Sequence, residues 1–253
     1  MSTFIEQQIN SPGLSSTHAN ILFLLLSDLH FYTNNLAVLQ HLIRLAHHPV
    51  IESNQQRQYL HILYQRLVAA WMLTEATALA EQHTLDVIEA LPAMNEEINN
   101  FKSLLFFDDN NQLRLKTWHR PEQPHVIVVT NPQCNPSRRF LSWLQHEPRL
   151  YSLFEQQSIW LTSQGGYLQQ QAIKTHNQNH PQLILNYVYS ESAWPEIPLW
   201  DTPTLYFFNA EGKLRYQLIG WPTEGRIKEL ETALKLIDIS INKTELEKEV
   251  AVN

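Results

Sequence analysis

Cysteine is almost absent: Cys134 is the single one in 253 residues, so no internal disulfide framework and no cysteine-based zinc site can form. A dense cluster of Lys or Arg is missing too. With 18 basic against 25 acidic residues and a formal net charge of -7, the chain lacks the electrostatic footprint of a nucleic-acid binder. Cations are scarcest at the N-terminus, where residues 1–100 hold three Arg (Arg44, Arg57, Arg66), no Lys and nine Asp or Glu; the remainder carries 15 basic and 16 acidic residues. That asymmetry points to two units with different surfaces. No long hydrophobic run is present. The run Ile21-Leu22-Phe23-Leu24-Leu25-Leu26 has no basic residue before it and no small-residue cleavage site after it, and it falls well short of the roughly 20 apolar residues that span a bilayer. It reads as a buried helix, and the expected setting is cytoplasmic, without a membrane partner. The histidines, among them His41, His47, His48 and His61, lack an H-E-x-x-H pattern, so no metal is expected.

What remains is the composition of a soluble globular protein, 43% hydrophobic and 17% charged. Residues 1–17 are polar and contain Pro12-Gly13, and they read as a flexible leader. Ser15-Ser16-Thr17 cap a helix over about 18–32, with Leu22, Leu25, Leu26 and Leu29 at three- and four-residue steps. Asn34 or Asn35 caps a second helix with Leu36, Leu39, Ile43 and Ala46 inward, stopped at Pro49. Ser53 with Gln56 fits a capping box, opening a third helix that shows Leu60, Leu63, Leu67, Ala70 and Trp71. It runs to His83 or breaks near Thr74. Thr84 caps a short helix ending at Pro92. Residues 18–100 are thus an all-α domain, either a small bundle or a helical-repeat array.

Near Lys102 the period changes. Ser103–Phe107 and Leu113–Trp118 read as a hairpin, and His125–Thr130 is an unbroken apolar run suited to a central strand. A helix from Pro136, a shorter one from Arg149, a strand at Ile159–Thr162, a helix at Tyr167–Asn177 and a strand at Leu183–Tyr189 follow. The hairpin Thr204–Phe208 and Lys213–Ile219 and a helix from Thr223 to Ile237 close the unit. Residues 101–238 therefore predict an α/β domain with a mixed central sheet flanked by helices, and 239–253 a charged tail.

Three segments of this second part resemble the thioredoxin superfamily, over roughly 130 residues. The strand His125–Thr130 runs into Asn131-Pro132-Gln133-Cys134-Asn135-Pro136-Ser137 and a helix, similar to the family's Cys-x-x-Cys loop with Ser in the second cysteine position. Asp201-Thr202-Pro203-Thr204 leads into a strand like the family's cis-proline loop. Asn209-Ala210-Glu211-Gly212-Lys213, Gly220-Trp221 and the final helix match its closing hairpin and helix. The resemblance implies a thioredoxin-like fold, a nucleophilic Cys134 with Ser137 beside it, and substrate binding by Asn135, Pro136, Thr202 and Pro203. The partner would be a protein or peptide thiol or disulfide; glutathione is allowed as a co-substrate, and no other cofactor is expected.

Position alone supports a reactive thiol, because a helix N-terminus offers unsatisfied N–H groups and a dipole that favour the thiolate. Three departures limit the chemistry. Ser137 cannot resolve a mixed disulfide. The family's buried acid, six residues before the cysteine, is Val128, and its usual Trp before the cysteine is Gln133. The reading is a monothiol protein that captures a partner or glutathione without resolving the adduct itself. The alternatives are a redox-inert binding scaffold, using the helical domain and the peptide groove, and a glutathione-dependent thioltransferase. The aromatic segment Trp194–Trp200 either shapes a peptide or small-molecule groove or covers an exposed sheet edge.

Overall fold

A computed structural model describes residues 2–94, 102–108 and 110–239. The chain divides into two compact units: residues 1–95 with 111–113 and 164–169, and the rest. The expected border between residues 100 and 101 lies outside the described residues, as do 240–253 of the tail.

The first unit is built from α1 (Ser2–Ile9), α2 (Ser16–Thr33), α3 (Leu36–Ala46), α4 (Ser53–Ala69) and α5 (Leu73–Gln82). The stretch expected to be a flexible leader contains α1, anchored by buried Ile5 and Ile9. Ser15 caps α2 by accepting from the His18 N–H, and Asn35 caps α3 by accepting from Ala37 and Val38. The capping box at Ser53 does not form; Glu52 occupies the cap position without a side-chain bond. Helix α2 packs on α3 and α4, with Phe23 stacked on Tyr59 at 4.1 Å between centroids. Its inward face is Ala19, Phe23, Leu26, Ser27 and His30; of the expected Leu22, Leu25, Leu26 and Leu29, Leu26 is buried, Leu22 and Leu29 are half-buried and Leu25 is exposed. In α3 the expected Leu39 and Ala46 are buried, joined by Val38, Leu42 and Leu45, while Ile43 is half-buried and Leu36 is exposed.

Helix α4 ends before α5 because Trp71 adopts φ 60° and the Met72 N–H closes onto the Leu67 carbonyl (2.9 Å), a Schellman ending with tryptophan where glycine is usual. Thr84 (φ 48°) ends α5 in the same way, with Leu85 N–H on the Ala80 carbonyl (2.9 Å). Thr84 therefore terminates a helix instead of starting one, and no helix follows over 85–92.

The second unit contains β1 (Ser103–Phe107), β2 (Leu113–Thr117), β3 (His125–Val129), α6 (Asn135–Gln145), α7 (Pro148–Gln157), β4 (Ser158–Thr162), α8 (Gln170–Asn179), β5 (Leu185–Val188), β6 (Thr204–Phe208), β7 (Leu214–Ile219) and α9 (Ile227–Leu236). The seven strands form one sheet in the order β2-β1-β5-β4-β3-β6-β7. β3, β4 and β5 run parallel, and β1, β6 and β7 pair antiparallel to their inner neighbours. This mixed sheet with flanking helices is the thioredoxin-like fold expected from the sequence. All five residues of β3 are buried, as a strand covered on both faces requires. On one side of the sheet, Phe140 of α6 and Phe154 of α7 meet Trp160 of β4. On the other, Ile127, Val129, Leu161 and Tyr206 pack under Trp194 and Ile197. The Trp194–Trp200 segment thus packs on a face of the sheet instead of covering an edge: Trp194 is fully buried and lies beside Trp118, with the Lys102 ammonium over both rings. The β6–β7 turn needs Gly212, which sits at φ 76° where a Cβ would fall 2.6 Å from the Arg120 guanidinium.

Candidate functional site

The register of the central sheet assembles the site. Val129, the last residue of β3, pairs with Thr204, the first of β6, so the loop leaving β3 and the loop entering β6 emerge side by side. In the first loop the Asn131 side chain accepts from the Gln133 N–H (2.8 Å) and its carbonyl accepts from the Cys134 N–H (3.0 Å). These bonds turn the chain so that Cys134 becomes the N-cap of α6 in extended conformation (φ −77°, ψ 123°). Its carbonyl accepts the first helical bond, from Arg138 (3.0 Å). Pro136 occupies the first turn, where a missing N–H costs nothing.

In the second loop the Thr202–Pro203 peptide is cis. Pro203 is buried and its carbonyl accepts from the Gly220 N–H at 2.7 Å. The half-buried Cys134 thiol donates to the Thr202 carbonyl (3.1 Å). This bond belongs to the protonated form and is given up on ionisation. Burial pushes the thiol pKa up. The Thr202 side chain, the Ser137 backbone and hydroxyl, and the Arg139 charge outweigh it, and they hold the thiol below its ordinary value. Ser137 is buried, its hydroxyl also receiving the Asn131 N–H (3.5 Å).

Cys134, Ser137, Thr202 and Pro203 therefore meet. Asn135 does not join them: it is exposed, and its side-chain oxygen accepts from Arg138. Pro136 lines a separate groove with Arg139, Gly220, Trp221 and Arg226. Arg139 is more fixed than a first-turn arginine usually is, donating through Nε (3.2 Å) and Nη2 (3.0 Å) to the Trp221 carbonyl. The Trp221 ring packs on Phe140 and Trp143. Sequence reasoning missed a second groove of about 440 Å³, lined by Thr130, Gln133, Ser137, His176 and His180. Its signal was the spacing of His176 and His180, one helical turn apart near the end of α8. Burial lowers the pKa of both rings, so they face the groove neutral at pH 7.

Val128, where the resemblance has an acid, is fully buried. Among the described residues no group of three His, Cys, Asp or Glu is placed to hold a metal, and no helix is long and apolar enough to cross a membrane.

No family model and no curated protein matches the chain. Solved structures similar to it include a thioredoxin-like protein from Porphyromonas gingivalis, with 14% identity and TM-score 0.39 over 56% of this chain and 94% of that one. StoA from Bacillus subtilis follows with 15% identity and TM-score 0.35 over 57% and 98%. A thioredoxin-like protein from Bacteroides caccae aligns over 88% of this chain and 82% of its own, with 13% identity and TM-score 0.35.

Proposed function

We propose that the protein is a monothiol capture protein acting through Cys134. The observation that carries this reading is a thiol at a helix N-terminus, held below its ordinary pKa, with its sulfur 3.1 Å from the Thr202 carbonyl at the cis-proline loop. The Cys134 thiolate attacks a partner disulfide; one sulfur of the partner joins Cys134 in a mixed disulfide and the other leaves as a thiolate. Thr202 and Pro203 hold the partner's backbone in line for attack. Ser137 hydrogen-bonds the sulfur and cannot displace the partner, so release needs an external thiol, which attacks the mixed disulfide and leaves Cys134 reduced. Glutathione disulfide fits the same step as a small partner.

A second reading, a redox-inert scaffold, draws on Val128: with no buried acid behind the cysteine, proton handling during exchange is unsupported. Intact-mass analysis separates the two. Incubated with glutathione disulfide or a short peptide disulfide and quenched with acid, the protein should gain one adduct, lost in Cys134→Ala and slowed in Pro203→Ala. If Cys134 reacts no faster than a free peptide thiol at the same pH, the scaffold reading stands.

A further inference from the structure

Helix α2 buries one side and leaves the other, equally apolar, in water. Ile21 (52% exposed), Leu24, Leu25 (62%), Phe31 (59%) and Tyr32 (82%) all lie outward, and Leu36 at the start of α3 is exposed as well. At about 100° per residue, Ile21, Leu24, Leu25, Asp28, Phe31 and Tyr32 share an arc of roughly 120°, the width of a core-facing stripe. A helix that is apolar on all sides ordinarily has neighbours on all sides. With an aromatic side chain offering about 150–250 Å², the patch is on the order of 600 Å², at the upper limit of what monomers expose.

Its charge selects the occupant. Asp28, exposed, sits midway along the stripe, and α2 contains neither Lys nor Arg. Arg66 of α4 feels the Asp28 charge, but its direct contacts lie elsewhere: its Nε donates to Ser27 Oγ (3.1 Å) and its guanidinium lies over the Phe31 ring at 4.9 Å. An anionic membrane surface would need cations along this stripe. A second copy laid on the patch about a two-fold axis would set Asp28 against Asp28, in a region with three Arg and nine acidic residues. A partner helix with an apolar ridge and a central Lys or Arg meets both requirements. From Ile21 to Tyr32 the stripe runs roughly 17 Å at about 1.5 Å per residue, or three helical turns.

We infer that the outer face of α2 is a docking site for a partner protein's amphipathic helix, whose apolar ridge carries a basic residue opposite Asp28. The inference is independent of Cys134 chemistry. The test uses the full chain and two fluorescein-labelled synthetic amphipathic peptides of about five turns, identical except for Lys or Glu at the ridge centre. The Lys peptide should bind at least tenfold tighter than the Glu peptide. Asp28→Lys should reverse that order, Leu25→Ser with Tyr32→Ser should abolish binding of both, and Cys134→Ala should change nothing. The exposed positions leave the buried face intact, so circular dichroism should show all variants folded. Equal binding of both peptides, or none, would overturn the inference. So would sedimentation showing self-association, or flotation with phosphatidylserine vesicles, that is lost in the Leu25→Ser, Tyr32→Ser variant.

Discussion

His30 lies on the inner side of α2 with 1% of its surface exposed, and neither ring nitrogen has a hydrogen-bond partner among the described residues. Burial first, and the positive charge of Arg66 second, lower its pKa from 6.5 to about 4. The unfolded chain therefore takes up the proton before the folded one does. Stability is intact above pH 6.5 and is lost as the pH falls toward 4. At about 1.4 kcal/mol per pH unit, the gap amounts to about 3–4 kcal/mol, most of which is gone by pH 4.5. Carboxylates titrate over the same range, so the measurement is a difference: urea unfolding of the wild type and of His30→Leu, from pH 7.5 to 4.5. The wild type should lose about 2–3 kcal/mol more than the variant, and Arg66→Gln should lessen that loss by raising the His30 pKa. Parallel pH curves for wild type and His30→Leu, or a His30 ring proton titrating near 6.5 by NMR, would refute the argument.

Two further predictions concern other elements. Thr84 is exposed at φ 48°, so Thr84→Gly should relieve left-handed strain without removing a packing contact and raise stability by about 0.5–1 kcal/mol in urea unfolding. Alkylation of Cys134 by iodoacetamide should have its pH midpoint below that of a free peptide thiol, because the folded site favours the thiolate; Ser137→Ala and Arg139→Gln should each move it upward. An unchanged midpoint in both variants would remove these residues from the account of the thiol.

The α/β unit was legible because its signals are local. Val126 to Val129 read as a central strand from β-branching alone, Asn209 to Lys213 as a turn, and Thr202-Pro203 as the start of a strand, and the sheet follows from their order. The phase of α2 was not legible: with leucines on every side, three- and four-residue steps fit several faces, and tertiary packing chose Phe23, Leu26, Ser27 and His30. The helix expected at 85–92 failed because Thr84 has the composition of a cap at either end, and only its backbone angle decides which. At the site, the Cys134, Ser137, Thr202 and Pro203 positions were readable from motif order. The fork from Arg139 to the Trp221 carbonyl and the His176–His180 groove were not, since both join segments far apart in sequence.

The pairing of Val129 with Thr204 has a consequence for durability. The loops that carry the sulfur and the carbonyl it touches start from paired residues of adjacent strands in the middle of the sheet, so ladder hydrogen bonds hold the bases of both loops together. Opening of the outer strand β2, at the far edge of the sheet, leaves this pair in place. Amide protons of β3 and β6 should accordingly exchange only through the deepest openings of the unit, and the site should outlast most of the structure around it as denaturant rises.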